Sequence, residues 1–222
     1  NLLNLNTASG EYNTNDCFAG CIRYMEIHYL MYNSNIPKNR QYPIPLIPCK
    51  NDIKVFNELK NLKDNIKEFV DNGKSLYIYS NNTGNGKTSW AIKLMVKYFD
   101  EIWAGNGFKC RGVYIHVPTF FDKMKDTMID KDKDFENLKQ KLLSVNLVIW
   151  DDIASTSISN YDHAKFLTYI DQRNFNGLSN IYTGNIDQPD LNLKDLIGNR
   201  LLSRIWNESL HFEITGVDRR GN

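Results

Sequence analysis

Two short clusters hold the residue types that chemistry on a phosphate requires. The first is Thr83-Gly84-Asn85-Gly86-Lys87-Thr88-Ser89. Backbone N–H groups close on a triphosphate only where side chains are absent, and Gly84 and Gly86 provide that gap. A helix opening at Lys87 would add unpaired N–H groups and the positive end of its dipole. Lys87 would reach the β- and γ-phosphates, and the Thr88 hydroxyl would ligate Mg²⁺. The second cluster is Asp151-Asp152, which ends the apolar run Leu147-Val148-Ile149-Trp150. Asp151 suits the second Mg²⁺ ligand, and Asp152 suits the group that orients or activates a water. An apolar run ending in two acids is a weak signal alone, but paired with the glycine-lysine-threonine turn it points to a nucleotide site. One departure is visible. The usual loop begins with glycine, and Asn81 stands there; Asn tolerates left-handed backbone, so the turn is expected to survive.

The flanking elements are readable from their patterns. Leu76 and Ile78 sit in a short apolar and aromatic run, as in a buried strand, and Asn81 to Gly86 break it. Trp90, Ile92, Leu94, Met95, Tyr98 and Phe99 give the following helix its apolar positions. Gly112–Val117 reads as a second strand, in which His116 is expected to hold a hydrogen bond rather than act as a catalyst. Strand C-termini carry the ligand in parallel α/β sheets, so Asp151 and Asp152 should emerge beside the phosphate loop. Asn180–Thr183 is a further strand, and its polar tip, Thr183-Gly184-Asn185, could touch the γ-phosphate or its attacking water. Helices are expected over Asp16–Met31, Asp52–Asp71, Pro118 onward, Tyr161–Asn174 and Leu191–Ile205, with a last strand at Leu210–Ile214. Asp130–Asp134 reads as a charged tip. Arg200 and Arg204 lie one turn apart on one helix face.

Composition bounds the rest. The chain has 222 residues and a formal net charge of +1. That suffices for one α/β core plus a small appendage and argues against a strongly basic grip on nucleic acid. No apolar run reaches transmembrane length and no signal peptide is visible, so a cytoplasmic protein with no membrane partner is expected. Pro37, Pro43, Pro45 and Pro48 mark Asn33–Lys50 as an extended linker, which divides the chain into segments 1–50 and 51–222. Four cysteines in a nucleotide-binding chain point to reduced thiols or a metal rather than a disulfide scaffold. Cys17, Cys21, His28 and Cys49 could hold Zn²⁺, or the cysteines could pack as small apolar residues.

The order of parts is similar to that of a known family. Gly84-Asn85-Gly86-Lys87-Thr88, Leu147 to Asp152, Ile181-Tyr182-Thr183-Gly184-Asn185, Gly198 to Ile205 and Gly216 to Arg220 resemble the AAA+ ATPases that load bacterial replicative helicases. The likeness is to the DnaC/DnaI type, particularly loaders of phages and prophages, and runs from about Asn35 onward. The resemblance implies an α/β AAA+ P-loop fold with a central parallel sheet of order 5-1-4-3-2 and a small helical N-terminal segment. The chain stops within about a dozen residues of its last strand, so no C-terminal lid is expected. It implies Asn185 as the first sensor, Arg200 and Arg204 as the box supplying an arginine to a neighbouring subunit, with Arg204 as the finger, and Arg220 as the second sensor. It also implies ATP, a hexameric helicase, single-stranded DNA and a homo-oligomer as partners. Asp152 stands where many AAA+ proteins have Glu, and slow hydrolysis is expected from the shorter side chain. Phe121, Lys123 and Lys125 are candidate DNA contacts. A transposase-helper ATPase and an ATP-gated adaptor with little hydrolysis are the alternative readings.

Overall fold

The structure is a computed structural model, and it describes residues 14–41, 46–127, 132–153, 160–185 and 197–216. Five strands make one sheet: β1 (Ser75–Tyr79), β2 (Gly112–His116), β3 (Leu147–Asp151), β4 (Ser179–Gly184) and β5 (Ser209–Glu213). All pairings are parallel and the order is β2-β3-β4-β1-β5, which matches the arrangement the family resemblance implied. The register brings Leu76 opposite both Ile181 and Leu210, and Ile149 opposite both Tyr114 and Ile181. β3 and β4 are buried along their whole length, as central parallel strands must be when helices cover both faces.

Alternation along the strands builds two cores. Leu76, Ile78, Tyr114, Ile149 and Ile181 face α1 (Thr14–Asn33), α2 (Ile53–Asp64), α3 (Ile66–Asp71) and α4 (Lys87–Ile102). Tyr77, Val113, Ile115, Trp150 and Tyr182 face α5 (Val117–Asp126), α6 (Lys133–Ser144), α7 (Asn160–Phe175) and the helix Asn199–Trp206, here α8. The period of two thus sorts neighbouring residues into opposite layers.

Three expectations change. The helix expected over Asp52–Asp71 is two helices, broken at Asn65 (φ −114°, ψ 22°). Asn65 donates its side-chain amide to the Asn61 carbonyl at 2.9 Å, a local bond that competes with the helix ladder. Gly73 then ends α3 with φ +63°, and an added Cβ there would sit 2.5 Å from the Gly177 carbonyl oxygen. Second, the stretch after α1 is not simply extended. Leu30, Met31 and Ile36 are buried in the core beside α4, and the Tyr114 N–H donates to the Ser34 carbonyl at 2.7 Å. A 3₁₀ turn follows at Lys38–Arg40. Third, α5 buries Phe121 (5% exposed) against Phe166, while Lys123 pairs with Asp132 and Lys125 with Asp162. Phe121 therefore offers no face to a base. Residues 191–196 of the expected Leu191–Ile205 helix, and 130–131 of the charged tip, lie outside the described residues. No helix among the described residues is long and apolar enough to cross a membrane.

Candidate nucleotide site

The loop between β1 and α4 takes its shape from two glycines. Gly84 has φ +70° and Gly86 φ +104°, so both lie in the left-handed region that favours glycine. Asn81 does not, so the glycine missing there creates no strain and the expected tolerance of left-handed backbone is not called upon. Asn85, buried at the centre of the loop, donates its amide to the Ser80 hydroxyl and, at 2.8 Å, to the Ile214 carbonyl. Asn82 reaches the Gly216 carbonyl at 3.4 Å. The loop is thus tied to the chain leaving β5. Lys87 is 7% exposed, and its ammonium donates to the Asn82 carbonyl at 2.7 Å and the Asn85 side-chain oxygen at 3.0 Å. It is held over the inside of the loop, where phosphate oxygens would replace those acceptors.

The two motifs meet. Thr88 Oγ1 donates to Asp151 Oδ1 at 2.7 Å. Asp151 is 4% exposed and takes two further hydroxyls, Thr183 Oγ1 at 2.5 Å on Oδ1 and Tyr114 Oη at 2.6 Å on Oδ2. A buried carboxylate needs such donors, and three hydroxyls supply them. Burial, and then the adjacent Asp151 charge, push the Tyr114 hydroxyl pKa well above its ordinary value, so it stays a proton donor.

Asp152 sits at the turn out of β3 with φ +64°, a conformation uncommon for a residue with a side chain. Thr183 fixes that turn, accepting from the Asp152 N–H at 3.1 Å and, through its carbonyl, from the Ile153 N–H at 2.9 Å. Asn185 donates its amide to Asp152 Oδ1 at 3.4 Å. His116 Nε2 lies 3.8 Å from Asp152 Oδ2, and its Nδ1 shares a 2.7 Å hydrogen bond with the Thr119 hydroxyl. His116 therefore has its expected hydrogen bond, and it also borders the site.

These residues line one cleft of about 510 Å³, with Gly84 to Ser89, Asp151, Asp152, Thr183 and Asn185 on its walls. Thr83 is exposed in the loop just before Gly84. The donor set fits Mg²⁺, which prefers hard oxygens: the Thr88 hydroxyl and the Asp151 carboxylate are already adjacent. Some wall residues carry no signal in the sequence. Tyr114 reads as an ordinary strand residue, and Asn39, Arg40 and Leu46 belong to a proline-marked stretch that reads as linker. Thr183, expected near the phosphate, bonds Asp151 instead.

The remaining candidates lie elsewhere. Arg204 is exposed on α8 and borders a separate groove, where it pairs with Asp171 at 2.6 Å and Glu208 at 3.2 Å. Arg200, one turn earlier, is exposed, and neither arginine lines the cleft. Arg220 is outside the described residues. The zinc expectation finds no support. Among the described residues no three metal-ligating side chains gather; Cys21 and His28 are exposed on α1, Cys49 is half-buried, and the Cys17 side chain is not described.

Comparison with solved structures decides what this arrangement resembles. The DnaC helicase loader superposes with a TM-score of 0.64, at 16% identity over 83% of this chain and 98% of that one. The fold is one shared with that loader. DnaI matches at a TM-score of 0.61, with 20% identity over 82% of this chain and 95% of that one. AMPPCP-bound DnaA from Aquifex aeolicus matches at 0.57, with 18% identity over 76% of this chain, which spans about half (48%) of that one. The sequence matches no protein-family model and no curated protein. At such identities the likeness establishes the fold, and the chemistry must be argued from the site.

Proposed function

We propose that this chain is an ATP-dependent loader of a hexameric replicative helicase onto single-stranded DNA, acting in the cytoplasm. The observation that carries the reading is the meeting of Thr88 with Asp151 at 2.7 Å, beneath a loop that holds Lys87 inward. Loop N–H groups and Lys87 would bind the β- and γ-phosphates. Mg²⁺, held by Thr88 and Asp151, would neutralise charge on the same phosphates. Asp152 would orient the attacking water, with Asn185 beside it to report on the γ-phosphate. A carboxylate one methylene shorter than Glu supports slow basal turnover.

Arg204 would complete the site of an adjacent protomer; its position outside its own cleft, on an exposed helix face, supports a role in trans. Segment 1–50 would grip the helicase. The fold shared with the DnaC helicase loader and DnaI supports the loader reading over a transposase helper. The test mixes the purified chain with the host's hexameric helicase, single-stranded DNA and ATP. A stable complex and phosphate release above the level of the chain alone are expected. Failure to bind the helicase, with ATP binding intact, would remove the loader assignment and leave the ATPase site standing.

A further inference from the structure

The nucleotide cleft has a wall that belongs to neither phosphate motif. Asn39, Arg40 and Leu46 come from the stretch between α1 and α2, and they line the same cleft as Lys87, Thr88 and Asp151. Arg40 ends the 3₁₀ turn Lys38–Arg40 and is exposed at the cleft mouth. Among the described residues no carboxylate pairs with its guanidinium. We propose that Arg40 is a second phosphate-contacting cation of this cleft, set at the γ-phosphate end of a bound nucleoside triphosphate. The proposal rests on the ATP-site reading above.

Charge balance is the first argument. Among the described residues, the ionisable groups on the cleft wall are Lys87, Arg40, His116 and Tyr114 beside Asp151 and Asp152. A magnesium–triphosphate is itself negative, and the described wall carries two carboxylates. Among the described residues Arg40 joins Lys87 as a cation on that wall, and a guanidinium binds phosphate through paired N–H donors.

Position is the second. Arg40 lines the cleft together with Tyr114. The Tyr114 hydroxyl donates to Asp151 Oδ2 at 2.6 Å, and Asp151 Oδ1 accepts from Thr88 at 2.7 Å. Arg40 therefore shares the cleft with the residues that would hold the metal.

Pre-organisation is the third. Asn35 turns the chain with φ +57°, Ile36 is 3% exposed in the core, and Ser34 is bonded to the edge strand through Tyr114 N. The Arg40 N–H closes the turn on the Pro37 carbonyl at 2.8 Å, and Gln41 braces it on the Ile36 carbonyl at 3.3 Å. The backbone that carries the arginine is a fixed corner, so little backbone ordering opposes its contact with the ligand. The same corner follows directly from α1, which makes Arg40 the point where the N-terminal segment meets the nucleotide.

The test measures equilibrium affinity for AMPPCP and for ADP, with Mg²⁺, on the full chain and on Arg40→Ala and Arg40→Lys. Loss of about tenfold for AMPPCP and less than about threefold for ADP is expected in Arg40→Ala, with Arg40→Lys between. Arg40 is exposed, so the thermal midpoint should not move, which separates a lost contact from a damaged fold. Affinities within about twofold of wild type for both nucleotides would overturn the proposal. An equal loss for both would overturn its placement at the γ end. A wild-type chain that binds neither would overturn this inference and the ATP-site reading together, whereas failure of Arg40 alone leaves wild-type binding intact.

Discussion

The cleft and the α8 groove both place charged groups at a surface, and they do so in opposite ways. In the cleft, Asp151 is 4% exposed and is held by three hydroxyls from three different elements, α4, β2 and β4. In the groove, Arg204 is held by two carboxylates that are themselves open to solvent, and Phe175 beside it is 92% exposed. Buried hydrogen bonds fix geometry, because leaving any member unpaired is costly. Exposed ion pairs exchange readily, because water and salt screen them. The cleft is built as a finished site. The groove holds its arginine through exposed pairs, as the role proposed for it on a neighbouring protomer requires.

Substitutions can break that contrast. The largest effect is expected from Asp151→Ala, which strips three hydroxyls of their acceptor and removes the proposed metal ligand. Single-turnover phosphate release should fall by about a thousandfold. Next comes Arg204→Ala, for which helicase-stimulated turnover should fall about a hundredfold while nucleotide affinity stays at the wild-type value. Equal damage to affinity would place Arg204 in its own protomer's site and erase the contrast. Tyr114→Phe removes one buried donor to a carboxylate and should cost about 1–2 kcal/mol in urea unfolding. Asp171→Ala sharpens the comparison from the other side. It removes an exposed partner of Arg204 and should leave the urea midpoint at the wild-type value.

The parts that could be read in advance were those with a local signature. The strand runs at Leu76 and Leu147, the Gly84/Gly86 turn and the paired acids each announce themselves within a few residues, and the structure joins them at Thr88 and Asp151. What escaped notice depends on distant partners. Thr183 looks like a strand-end polar residue until β4 pairs with β3 and aims its hydroxyl at Asp151. Tyr114 looks like one more aromatic in a strand until its hydroxyl finds the same carboxylate. Arg40 sits among prolines that spell linker, and only the buried Ile36 and the Ser34–Tyr114 bond fold that stretch back over the cleft. The break at Asn65 was missed because apolar spacing continues across it, while the bond that interrupts the helix is a side-chain amide on the preceding turn.

Everything proposed for the chain needs a nucleoside triphosphate to bind where Lys87 faces Thr88 and Asp151. Calorimetric titration of the full chain with ATP and Mg²⁺, beside the same titration of Lys87→Ala, tests this most directly. A single saturable site in the wild type, weakened about a hundredfold or more in the variant, is the expected result. A folded wild type that takes up no ATP, or a variant that binds as the wild type does, would contradict it.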